Sequence, residues 1–197
     1  MSILAILLTY IFINNFILVQ FLGLCPFIGV SKNSENAIGM GMAVTFVTAI
    51  TSVICWAVNQ YLLVPLNLEY LETLSFILVI ASLVQLVEMV IKKISPPLYK
   101  ALGIYLPLIT TNCVVLGIAL INITNNFDAL QSFFAGLAAG LGFTLVMILM
   151  SNIRERLDYK PVPKVFKGMP IAFVSAGLMA LAFMAFDKSL LTNLHLV

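Results

Sequence analysis

Six apolar stretches follow one another along this chain, each long enough to cross about 30 Å of hydrocarbon, a distance that takes roughly 20 helical residues. They run Ile3 to Val30, Ala37 to Val64, Thr73 to Ile91, Leu98 to Ile123, Ala129 to Ile153 and Gly168 to Phe186. In lipid the backbone must satisfy its own polar groups, so stretches of this length form helices. The connections at 31–36, 65–72, 92–97, 122–128 and 154–167 hold the turn formers and most of the charge. Only 9% of the 197 residues are charged, against about a quarter in soluble domains. The expectation is an all-α integral membrane protein, multi-pass, one transmembrane domain over 1–197 with lipid around it. Scarce charge also excludes nucleic-acid binding, which needs a dense basic face. The first 24 residues lack Lys and Arg and no small-residue cleavage pattern follows, so a removed signal peptide is not expected.

The basic residues are unevenly placed. Connections one, three and five carry Lys32, then Lys92, Lys93 and Lys100, then Arg154, Arg156, Lys160, Lys164 and Lys167, nine of the ten Lys and Arg. The second and fourth carry none. The positive-inside bias therefore puts the basic loops in the cytoplasm and both termini outside.

Spans one and four are interrupted, and each interruption holds a cysteine. The first reads Phe21-Leu22-Gly23-Leu24-Cys25-Pro26-Phe27, the second Leu106-Pro107-Leu108-Ile109-Thr110-Thr111-Asn112-Cys113. Pro26 and Pro107 lack an amide hydrogen and bias the preceding residue away from helical angles. Freed backbone groups survive at membrane depth only where protein or a cavity supplies partners, and Thr110, Thr111 and Asn112 are suited to cap them. Cys113 follows Cys25 by close to half the chain, and three spans per half start the second half from the opposite side. The layout is two inverted three-helix repeats, about 1–93 and 98–190, with the first and fourth helices broken. Broken helices at matching positions point to a functional site near the midplane.

Cys25 and Cys113 offer one soft ligand from each half, where iron–sulfur clusters usually take four thiolates. A lone chain thus supplies half a site, completed by a partner of the same arrangement across a pseudo-twofold axis. An internal Cys25–Cys113 disulfide is the alternative use of the pair. Cys55, in the unbroken Val53-Ile54-Cys55-Trp56 run, reads as a buried structural cysteine. Among the other polar residues within the spans, Asn14 and Asn15 are expected to bond across helices. Glu88 is expected to pair with Lys92 one turn on. Gly136-x-x-x-Gly140 permits close approach of a helix the sequence does not name.

Asn14-Asn15-Phe16, the run from Phe21 through Cys25-Pro26 to Lys32, and Leu106 to Cys113 closely resemble a known family. It joins the A-type membrane component of the Rnf ion-translocating ferredoxin:NAD oxidoreductase with the E-type component of the sodium-pumping NADH:quinone reductase. Pro163 with Phe166-Lys167-Gly168, and Ser175-Ala176-Gly177-Leu178-Met179, resemble its last connection and helix. Cys25-Pro26 and Thr111-Asn112 are more similar to the Rnf member. The resemblance implies that Cys25 and Cys113 ligate the iron of an intramembrane [2Fe–2S] cluster, with two further ligands from a homologous membrane subunit of opposite topology, of the Rnf E type. It implies a relay of electrons between other Rnf subunits carrying flavin and iron–sulfur centres, coupled to Na+ or H+ translocation in a bacterial or archaeal cell membrane. On that reading the chain is a subunit of a translocase, not catalytic alone. The competing readings are a secondary transporter, which also builds its site from matched broken helices, and a membrane scaffold with incidental cysteines.

Overall fold

In the computed structural model, which describes residues 3–94, 106–158, 163 and 166–184, every regular element among those residues is helical. Helix α1 (Ile3–Leu8) widens into a π-helical stretch at Thr9–Ile13 and stops at Asn14. Helix α2 (Leu24–Val30) completes the first span. Helix α3 (Ser34–Val58) is prolonged by a π stretch at Asn59–Leu63 and a last turn at Val64–Leu66. Then come α4 (Glu72–Ile94), α5 (Leu106–Thr110), α6 (Cys113–Thr124), α7 (Ala129–Asp158) and α8 (Met169–Phe183). Three of the described helical stretches are long and apolar enough to cross a membrane unbroken: Ser34–Leu66, Glu72–Met89 and Ala129–Leu157. The first span is short of that because it is broken. The fourth is broken too, and the start expected for it at Leu98 lies outside the described residues, as do Lys100, Lys160 and Lys164.

The breaks fall elsewhere than the prolines suggest. The first covers residues 14–23, so the helix ends well before Pro26. Pro26 sits in the first turn of α2, where a missing amide hydrogen costs no intrahelical bond. Pro107 is likewise the second residue of α5, and the chain breaks after it at Thr111 and Asn112. What ends α1 is asparagine chemistry. Fully buried Asn15 accepts through Oδ1 from the Ile17 amide (3.1 Å) and donates through Nδ2 to the Ile11 and Gly142 carbonyls (3.1 Å each). Asn14 Oδ1 accepts from Gln20 Nε2 at 3.1 Å. Side chains thus take over backbone bonding that the helix has given up, and one of those bonds crosses to α7 as expected for an intramembrane asparagine.

The core is the α3–α7 pair. Lipid tails are as apolar as leucine, so membrane helices associate through close packing and polar bonds rather than hydrophobic expulsion. Gly136 and Gly140 supply the closeness: a methyl at Gly136 would lie 2.7 Å from the Thr48 carbonyl oxygen, and one at Gly140 2.8 Å from Thr48 Oγ1. The helix partner of this glycine pair is therefore α3 of the same chain. Thr45 and Thr144 hydroxyls meet at 3.1 Å and Ser34 and Ser151 hydroxyls at 3.3 Å along the same seam. Phe16, Phe27, Met40, Val114, Phe143 and Met147 fill the space between this pair and the broken helices. The seam also fixes which connections are neighbours. Ser34 beside Ser151 brings the first and fifth connections to one end of the bundle, while Trp56 and Asn59 share a pocket with Asn122 and Asp128 at the other.

Candidate functional site

The two interruptions pack on each other. Gly23 caps α2 with φ +81°, a left-handed geometry that favours glycine. It faces the second break directly: a methyl there would stand 2.7 Å from Val114 Cγ2, 3.1 Å from Asn112 Oδ1 and 3.3 Å from Phe143 Cε2. Asn112 is buried and caps α6, its Oδ1 accepting from the Val114 amide at 3.1 Å. This is the capping role expected among Thr110, Thr111 and Asn112, carried by Asn112. The sequence separates Gly23 from Val114 by close to half the chain, and the fold closes that gap to van der Waals contact.

From this junction the two thiols are presented outward. Cys25 is the second residue of α2 and Cys113 the first of α6, so both stand in the opening turn of a half-helix. That is the end where backbone amides are unpaired and the dipole is positive, a setting that suits an anionic ligand group. Both cysteines are exposed on the chain surface and free of disulfides, so the internal bridge is not formed. The Cys113 sulfur lies 3.9 Å from the Thr111 carbonyl oxygen. Cys55 is fully buried against Phe76 and Ala119, as its apolar setting predicts.

The far end of α2 is held by a residue that the sequence marks only for topology. Arg154, late in α7, donates from Nη1 to the Ile28 carbonyl (2.7 Å) and to Ser31 Oγ (2.9 Å). A cation at a helix C-terminus satisfies carbonyls that have no intrahelical donor and opposes the negative end of the dipole. The clue in the sequence is an arginine where an apolar span ends, which local reading cannot tell from a loop charge. Asn15 makes the cross-helix bond expected of it, and it also terminates α1, which its sequence setting does not show.

Among the described residues no group of three or more His, Cys, Asp or Glu is arranged to hold a metal ion. The donor set here is two soft thiols, exposed, in opening helix turns, with no hard ligand among them. The chemistry of those residues fits two of the thiolate ligands that an iron–sulfur site takes.

Fold and site together define an all-helical membrane protein that exposes two thiols beside paired helix breaks. The chain belongs to the Rnf-Nqr family of membrane subunits, whose family model matches residues 3–190. Within that family its place is with the A-type components of ion-translocating oxidoreductase complexes. It is 58% identical over 187 residues to the A-type component of the Na(+)-translocating ferredoxin:NAD(+) oxidoreductase complex of Acetobacterium woodii, covering 95% of this chain and 97% of that one. It is 60% identical over 176 residues to the A-type component of the ion-translocating oxidoreductase complex of Serratia proteamaculans, covering 89% and 91%. The corresponding protein of Photorhabdus laumondii is 60% identical over 177 residues, covering 90% and 92%.

Proposed function

We infer that this chain supplies Cys25 and Cys113 as two of the four thiolate ligands of an intramembrane [2Fe–2S] cluster. On this reading a homologous membrane subunit of opposite topology, of the Rnf E type, supplies the other two. The complex passes electrons between ferredoxin and NAD through flavin and iron–sulfur subunits and couples the transfer to translocation of Na+ or H+. The observation that carries the reading is the junction at Gly23, Asn112 and Val114, which joins two half-helices and leaves one exposed thiol at the opening of each. The cluster would supply a one-electron relay between the two sides of the membrane. The chain's part is to hold the thiolates: the breaks free backbone amides near sulfur, and Arg154 and Asn15 fix the elements that carry them.

The same proposal takes the halves, about 1–93 and 98–190, as inverted repeats, with the basic connections cytoplasmic and the termini outside. Its support is the alternation of broken, long and plain spans in each half and the shared end of the first and fifth connections. Iron and acid-labile sulfide analysis with electron paramagnetic resonance, on the complex purified with its partners, tests it. Cys25→Ala and Cys113→Ala each remove the cluster signal while the complex assembles, and Cys55→Ala keeps it. An unchanged signal in either of the first two variants would sink the assignment.

A further inference from the structure

At the end of the bundle away from Arg154 lies a second polar feature, distinct from the cysteine junction. A pocket of about 190 Å3 opens between the end of α3 and the turn joining α6 to α7, walled by Trp56, Asn59, Gln60, Asn122, Asn126 and Asp128. The turn is tight, with the Asn126 amide on the Ile123 carbonyl and the Phe127 amide on the Asn122 carbonyl, both at 2.9 Å, and Asn126 at φ +52°.

Asn122 brings to that wall an oxygen without a hydrogen-bond partner, and two more such buried oxygens lie nearby along α3 and α7. Asn122 is 1% exposed and its Oδ1 has no hydrogen-bond partner, while its Nδ2 reaches only the Ser132 carbonyl at 3.5 Å. Ser132 Oγ and Ser52 Oγ, both buried, are also without partners. Ser52 is one turn before Trp56 on α3, and the Ser132 amide in the first turn of α7 bonds the Asp128 carbonyl at 2.8 Å, so each serine is one turn from a lining residue without lining the pocket itself. Gly136, the next turn of α7, lies against Ser52. Buried oxygens left unpaired within a membrane bundle cost free energy unless something binds them.

We propose that this pocket, with the Asn122 oxygen on its wall and the unpartnered oxygens one turn away, binds a monovalent cation, for which Na+ is the probe. The donors are all oxygen, the set that hard cations take. Asp128 is the one carboxylate among amides and hydroxyls, which balances a single positive charge; divalent sites gather several carboxylates. The second and fourth connections contain no Lys or Arg, so no basic side chain from them neutralises Asp128. The site is separate from Cys25 and Cys113 and stands whether or not those residues hold a cluster.

The test is scintillation-proximity binding of 22Na+ to the purified complex, wild type against Asn122→Leu, Ser132→Ala and Asp128→Asn. Asn122→Leu loses one saturable Na+ per complex. Asp128→Asn, an exposed change that leaves the packing alone, weakens that Na+ about tenfold through loss of one nearby charge. Ser132→Ala weakens it as well and serves if Asn122→Leu fails to assemble. Unlabelled Na+ displaces the label and Mg2+ at the same concentration does not. Wild-type stoichiometry and affinity in both Asp128→Asn and Ser132→Ala would mean a water-filled pocket and overturn the proposal. Equal displacement by Mg2+ would overturn the monovalent assignment.

Discussion

Replacing Gly23 by alanine probes the contact that joins the two breaks. The added methyl meets two separate costs. At φ +81° an L-residue is held in left-handed geometry, about 1–2 kcal/mol above glycine. The methyl also enters space already taken, 2.7 Å from Val114 Cγ2 and 3.1 Å from Asn112 Oδ1, and such overpacking costs about 1–3 kcal/mol. Val114 is fully buried in the first turn of α6, so it has little freedom to retreat. The sum is about 2–5 kcal/mol, delivered at the hinge between the two cysteine-bearing half-helices. Gly29→Ala is the control in the same half-helix: nothing lies within 4 Å of its methyl, and glycine to alanine in a helix gains about 0.5–1 kcal/mol. The assay is thermal unfolding of the purified complex beside its iron–sulfur resonance. Gly23→Ala melts lower and broadens or loses the resonance, whereas Gly29→Ala does neither. Wild-type melting and an unaltered resonance in Gly23→Ala would refute the packed junction.

Two other changes act at a distance from the thiols. Asn15→Leu deletes one bond between helices, about 0.6 kcal/mol, and two local ones of about 0.5–1.5 kcal/mol each, for about 2–4 kcal/mol in all; a thermal shift within error of wild type would show that the break does not depend on it. Arg154→Gln strips the donor from the Ile28 carbonyl and buried Ser31, about 1.5–3 kcal/mol for a charged hydrogen bond. Arg154→Lys restores the charge without the guanidinium geometry and recovers only part of it. Faster amide exchange over residues 24–30 in Arg154→Gln reports the loosened half-helix, and exchange equal to wild type would place the anchor elsewhere.

The membrane class and the order of the spans were legible in the residues because hydropathy is local: twenty apolar residues are apolar whatever they later touch. The same holds for Cys55, whose neighbours along the chain already made it a core residue, and for Cys25 and Cys113 as soft ligands beside interrupted helices. The family resemblance rested on those local runs as well. What the sequence could not carry was every contact between residues far apart along it. Pro26 and Pro107 marked the right neighbourhoods but not the breaks, since a proline in a first turn is harmless. Asn15 ends α1 by reaching a carbonyl on α7, and no local pattern distinguishes that asparagine from Asn14. Gly136 and Gly140 announced a close helix approach, yet only the fold names α3 as the partner. Arg154 is, along the chain, one charge at a membrane boundary, and only the fold sets its guanidinium on the end of α2. The tertiary structure also turned two separate thiol motifs into one place, because Gly23 leaves room there for Asn112 and Val114. Sequence thus determined which groups are present and at what local helix position, and packing decided which of them meet.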